Sequence, residues 1–93
     1  MLITTTLSVT TSSVDLSNAN GELASANRTY AAHHIIVQNA GAGDVYVGSS
    51  GVGASTGIKV ESGGTFEADL AAGDRLYGIA ASGTQTVRLL IIA

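Results

Sequence analysis

Residues 2 to 9 read LITTTLSV, which puts Leu2, Thr4, Thr6 and Ser8 on one side of an extended chain and Ile3, Thr5, Leu7 and Val9 on the other. A period of two sustained over such a run predicts a half-buried strand. From residue 29 the same period returns in short runs separated by glycine turns. HHIIVQN (33–39) predicts a strand stopped by Ala40-Gly41-Ala42-Gly43, and DVYVG (44–48) places Val45 and Val47 opposite Tyr46. SSGVGASTG (49–57) is small and polar, hence a loop, and GIKVE (57–61) is a short strand ended by Ser62-Gly63-Gly64. TFEADL (65–70) turns Phe66, Ala68 and Leu70 inward and Glu67 and Asp69 outward. Ala71-Ala72-Gly73-Asp74 leads into RLYGIAA (75–81), and Ser82-Gly83 leads into the closing run TQTVRLLII (84–92). Strands with turn signals every ~8–12 residues predict an all-β fold, here one small antiparallel β-sandwich of jelly-roll type. Residues 10 to 28 are polar and weakly patterned, with room for one helical turn near Glu22 to Asn27. The chain therefore divides into an N-terminal arm or loop-rich segment over 1–28 and a β-sandwich domain over 29–93.

Several of these strands are apolar on both faces. In 84–92 one face carries Val87, Leu89 and Ile91 and the other Arg88, Leu90 and Ile92. In 75–81 Tyr77 and Ile79 stand opposite Leu76 and Ala80, and in 33–39 His34 and Ile36 stand opposite His33, Ile35 and Val37. A monomeric antiparallel sandwich normally leaves its outer face polar. A patch holding Ile36, Ile79, Leu90 and Ile92 is large enough to mark an interface. Loops covering the C-terminal strand would explain one such strand; three together favour association. Composition points the same way, because only 12% of the residues are charged, about half the usual ~25%.

Charge and cysteine content remove several classes. The net charge is −3 with four basic residues, too few for a phosphate-neutralising surface, so no nucleic-acid partner is expected. No cysteine is present, so neither a disulfide nor a thiolate metal site is available. Met1-Leu2-Ile3 runs straight into three threonines without a basic or long apolar segment, so no targeting signal is expected. The longest strongly apolar run is Leu89 to Ala93, against the ~20 residues a membrane helix needs, so no membrane partner is expected either.

Catalytic motifs do not survive inspection. Gly53-Ala54-Ser55-Thr56-Gly57 has the form of a nucleophile elbow, yet a loop precedes it, a strand follows it, and both histidines lie upstream. His33 and His34 are adjacent, so on a strand they face opposite ways and cannot chelate one ion within a chain. Three copies of one histidine on a trimer axis could, but no clustered carboxylates support that reading. Asp44, Asp69 and Asp74 lie at or near turns and lack calcium-loop spacing. The only lysine, Lys59, follows Ile58 and opens no phosphate loop, and Asn27-Arg28-Thr29 is a glycosylation sequon only in form. Of the aromatics Tyr30, Tyr46, Phe66 and Tyr77, the pair Tyr46 and Tyr77 could share an outward face as a weak carbohydrate platform, though packing in an interface is the better account. The expectation is a non-enzymatic protein with no catalytic residues, no cofactor and no metal.

The order of the pieces in 33–90 resembles small structural proteins of tailed bacteriophages. Val37-Gln38-Asn39 precedes a glycine turn and Val45-Tyr46-Val47-Gly48. A loop and Gly57-Ile58-Lys59 follow, then Gly73-Asp74-Arg75-Leu76-Tyr77, then a closing strand around Val87-Arg88-Leu89. The resemblance implies a head decoration, or capsid cement, protein: a small β-sandwich on the virion exterior, made in the host cytoplasm. It would be homotrimeric and docked on the major capsid protein, stabilising the lattice by bridging capsomers. On this reading Ile36, Tyr46, Tyr77, Ile79, Leu90 and Ile92 form the oligomer or capsid interface. Leu2, Ile3 and Leu7 are then contacts of an N-terminal arm that orders on binding. The alternative is a head-fibre or tail appendage domain that binds a host carbohydrate or receptor through Tyr46, Tyr77 and the 49–56 loop.

Overall fold

A computed structural model describes residues 2–17 and 32–93. Among these described residues the protein forms an all-β antiparallel sandwich with eight strands: β1 Leu2–Val9, β2 Val14–Asp15, β3 His33–Asn39, β4 Val45–Gly48, β5 Ile58–Val60, β6 Thr65–Leu70, β7 Tyr77–Ala80 and β8 Gln85–Ile92. Two four-stranded sheets are formed, with orders β1-β8-β3-β6 and β2-β7-β4-β5. The first is called here the long sheet and the second the short sheet. The pairing is nested: β1 with β8, β2 with β7, β3 with β6, and β4 with β5. Such an order is compatible with the jelly roll expected from the sequence.

The strand ends follow the turn chemistry. Gly63, Gly73 and Gly83 have φ of 79°, 88° and 62°, the left-handed region in which a side chain is strained, and each lies in one of the turns read from the sequence. Between the turns, alternation decides which side chains are buried. In the long sheet Ile35 and Val37 of β3 and Val87, Leu89 and Ile91 of β8 point inward and are at most 1% exposed. Val45 and Val47 of β4, Val60 of β5 and Ala80 of β7 meet them from the short sheet. Leu16 and Leu76 fill one end of this core, where Leu16 N–H donates to Leu76 C=O at 2.8 Å.

A fully buried polar residue joins the two sheets. Asn39, at the end of β3, donates from Nδ2 to Gly43 C=O at 2.7 Å and to Val60 C=O at 2.9 Å. Its Oδ1 accepts the Gly41 N–H at 3.0 Å, while its main chain bonds Gly64 C=O and Gly63 N–H. Every polar group of Asn39 thus has a partner, which is what allows an amide to sit in the core. A smaller tie lies at β2, where the Leu76 N–H donates to Ser17 Oγ at 2.7 Å.

The expectation of an arm over 1–28 is corrected for residues 2–17. β1 pairs with β8 from Leu2↔Ile92 to Val9↔Gln85, and β2 is a strand of the short sheet. Ile3 is buried and Leu7 packs against the core, so neither is available as an arm contact. The reason is the alternation within LITTTLSV, whose apolar phase matches the inner face of β8. β2 escapes a sequence reading because two residues cannot show a period. The 28/29 boundary and the helical turn near 22–27 fall outside the described residues.

Replacing Asn39 with Ala is expected to cost about 2–4 kcal/mol, because the buried Val60 C=O and the part-buried Gly43 C=O and Gly41 N–H then lose their partner together. Urea unfolding checks this: the midpoint should fall with an unchanged slope.

Candidate functional site

Because inner and outer residues alternate, the outer face of the long sheet is fixed once the core is packed. Register arranges it in three rows running β1, β8, β3, β6. The first row is Leu2, Ile92, His34 and Asp69; the second is Thr4, Leu90, Ile36 and Glu67; the third is Thr6, Arg88, Gln38 and Thr65. Leu2, Ile92, Leu90 and Ile36 therefore form one contiguous apolar patch. Leu2 is 66% and Ile92 47% exposed, while Leu90 and Ile36 are half-buried. A shallow depression lies beside the patch, lined by Thr4, Ile36, Gln38, Thr65, Arg88 and Leu90 among others.

The charges around this patch are separated by sign. On the β6 side, His34 Nδ1 lies 2.6 Å from Asp69 Oδ1 and Nε2 lies 3.5 Å from Glu67 Oε2. The Asp69 carboxylate holds the His34 imidazole above its ordinary pKa of 6.5; partial desolvation opposes this and Glu67 adds to it. In the third row Arg88 Nη1 reaches Gln38 Oε1 at 3.5 Å. An apolar centre with an acidic flank and a basic flank is thus carried on rigid strands.

The six interface residues expected from the sequence divide between two opposite surfaces. Ile36, Leu90 and Ile92 come together as expected. Ile79 does not join them: it lies on the short sheet, opposite Tyr46 in register, on that sheet's outer face. The correction is topological, since alternation gives each strand a second face without saying which sheet the strand enters. Tyr77 shares this outer face with Tyr46, two positions along, and pairs with Gly48 and Asp15. There a polar depression is lined by Ser49, Ser50, Gly73, Asp74, Arg75 and Tyr77. Arg75 Nη1 lies 3.3 Å from the Tyr77 hydroxyl and 3.9 Å from Asp15 Oδ2. Leu2, expected in an arm, instead completes the long-sheet patch. Glu67 and Asp69 as partners of His34 have no sequence signal, because only the β3–β6 register brings them together.

His33 faces the core and is buried while His34 faces outward, the alternation that adjacent strand residues must show. Among the described residues no group of three or more His, Asp or Glu side chains is arranged to hold a metal ion. The segment Gly53 to Gly57 closes on itself, with Gly57 N–H donating to Gly53 C=O at 2.8 Å and Gly53 N–H donating to Thr56 Oγ1 at 3.0 Å. It leads into β5, not a helix, so its serine is not presented as an elbow nucleophile would be.

No protein-family model matches this chain, and no curated protein matches its sequence. Among solved structures it is similar to a protein from the Bacillus endospore appendages, described as a novel family of disulfide-linked pili. The TM-score is 0.52 at 15% identity, covering 98% of this chain and 82% of that chain. At that identity the likeness is one of fold.

The His34 pair gives a pH dependence of definite sign. A folded-state pKa above 6.5 means that the pair stabilises the protein fully below that pH, and that this contribution is lost as pH rises through the folded value. Proton NMR of the His34 ring should give a midpoint above 6.5, and Asp69→Asn should return it towards 6.5. The stability difference between wild type and Asp69→Asn should be larger at about pH 5.5 than at about pH 8.5.

Proposed function

We propose that this chain is a non-enzymatic structural subunit of a virion exterior, docking through the outer face of its long sheet onto the lattice of a major capsid protein. The observation that carries the reading is the patch of Leu2, Ile36, Leu90 and Ile92 on a face that a solitary sandwich would leave polar. Burying the exposed parts of Leu2 and Ile92 contributes on the order of 1–2 kcal/mol each. The flanking Glu67, Asp69 and Arg88 would set orientation more than affinity. The capsid setting and the homotrimer rest on the resemblance over 33–90, with its Val37-Gln38-Asn39, Val45-Tyr46-Val47-Gly48 and Gly73-Asp74-Arg75-Leu76-Tyr77 segments. Cement action is a matter of linkage, because a ligand bound only by the assembled lattice stabilises the assembly. Joining several contacts in one trimer adds avidity to each weak contact.

A second reading is an appendage subunit, favoured by the fold likeness to a pilus protein and by the polar depression around Tyr77. With no cysteine, this chain would have to hold such an assembly together without disulfides. Tyr77 with the hydroxyls of Ser49 and Ser50 would offer a host carbohydrate a ring and hydrogen-bonding groups.

Cosedimentation with capsids lacking the protein separates the readings. Leu90→Lys or Ile92→Lys should weaken capsid binding by about tenfold or more, while Tyr77→Ala should leave it unchanged. Binding indifferent to both lysine variants, with glycan binding lost in Tyr77→Ala, would establish the appendage reading instead. Light scattering on the free protein should give three times the 9.3 kDa chain mass if the trimer forms off the lattice.

A further inference from the structure

The outer face of the long sheet is open across all four of its strands. Leu2 is 66% and Ile92 47% exposed, and Thr4, Thr65, Glu67, Asp69 and Arg88 are exposed beside them. Register fixes how these residues stand to one another, since neighbouring strands lie ~4.8 Å apart and successive outer residues of one strand ~6.8 Å apart. On that grid Glu67 and Asp69 stand together at the β6 edge, and Arg88 stands diagonally across on β8. The midpoint between the acidic pair and Arg88 falls within about 2 Å of Ile36. The line that exchanges the two charges by reflection runs at about 45° to the strands, from Leu2 past Ile36 to Thr65.

We propose that this face is self-complementary and that, away from any lattice, it is covered by the same face of a second copy, related by a two-fold axis along that diagonal. Two sheets packed face to face by a two-fold have the axis in the plane between them, so each residue meets whatever lies at its reflected position. Arg88 then meets the Glu67 and Asp69 pair of the other copy, and the contact occurs twice. Gln38 falls over Glu67, and His34 over Thr4. At the centre Leu90 packs on Ile36, Leu2 meets Leu2, and Ile92 lies over Leu2 and Thr4. No charge meets a like charge. The two sets of strands cross at close to a right angle, one of the two arrangements in which sheets pack face to face. Other axes through Ile36 fail on charge: one along the strands sets Asp69 on Ile92 and Glu67 on Leu90, and one across them sets Arg88 on Ile92. The three rows cover roughly 400 Å² of sheet per copy, well under the ~800 Å² per partner of stable complexes, so the pairing is weak and reversible. One consequence rests on the docking reading above. The pair hides the apolar patch of the free protein, and docking exchanges one occupant of the face for another.

The test reads a concentration-dependent doubling of mass by sedimentation of the free protein, starting from whichever unit is present at low concentration. Wild type should double. Arg88→Glu should weaken the doubling by about tenfold or more, because it sets acid against acid twice. Glu67→Lys/Asp69→Lys should do the same by setting lysine against Arg88, and mixing the two variants in equal amounts should restore it. Tyr77→Ala, on the opposite sheet, should double like wild type. The proposal is overturned if wild type shows no doubling up to about 1 mM, if either charge variant doubles like wild type, or if the mixture fails to double while wild type does. No capsid enters these measurements, so their outcome is independent of the docking reading. Cosedimentation with capsids then tests the exchange. Above the doubling concentration, occupancy short of saturation should rise as the square root of added wild type, because only the unpaired form binds. A rise in simple proportion would overturn the covering of the docking face. Doubling without any capsid binding would support the pairing and overturn the docking reading alone.

Discussion

Everything in this protein depends on the two-residue period of β8 and β3. These two strands are paired on both sides, at the centre of the long sheet. Their inner residues Ile35, Val37, Val87, Leu89 and Ile91 form the surface onto which the short sheet closes. A strand cannot bury one row without presenting the other. When the inner phase is fixed by packing, Ile36, Leu90 and Ile92 are turned to the outside. The apolar outer face is therefore a consequence of how the core is built combined with a sequence that did not place polar residues in the other phase. A one-residue slip of β8 would exchange the two rows and bring Arg88 into the core, which makes the register strongly specified.

A chain of this size with no cysteine must close its sandwich by other means. The inner rows supply the area, and Asn39 supplies a directional tie from β3 to the last residue of β5 and to the turn after β3. The Ser17 hydroxyl makes the comparable tie near the start of β7. Both are buried polar groups with partners, so they fix geometry without leaving an unsatisfied group. The outcome is a rigid frame on which the outer surfaces are carried by strands and not by loops.

The two outer surfaces have different chemistry. On the long sheet, an apolar centre lies between the His34, Glu67 and Asp69 group and Arg88, a layout suited to a protein partner. On the short sheet, Tyr46, Ile79 and Tyr77 lie beside a depression whose rim is mostly polar.

Much of the fold was legible in the sequence because it depends on local rules. β1, β3 and β6 have the bounds that alternation indicates, and the glycine turns at 63, 73 and 83 lie where small-residue clusters interrupt the period. The inward placement of Val87, Leu89 and Ile91, and the opposite facing of His33 and His34, follow from the same period. The absence of cysteine and the scarcity of charge are likewise read directly from the sequence. Tertiary structure alone decided which strands become neighbours. It sent β7 to the short sheet, and so separated Ile79 from Ile36, Leu90 and Ile92. It joined β1 to β8, which converted an expected arm into a strand and added Leu2 to the patch. It brought Asp69 and Glu67 to His34 across more than thirty residues of chain. The physical reason is that alternation is a property of one strand, whereas pairing and sheet membership are set by long-range packing that no local pattern encodes.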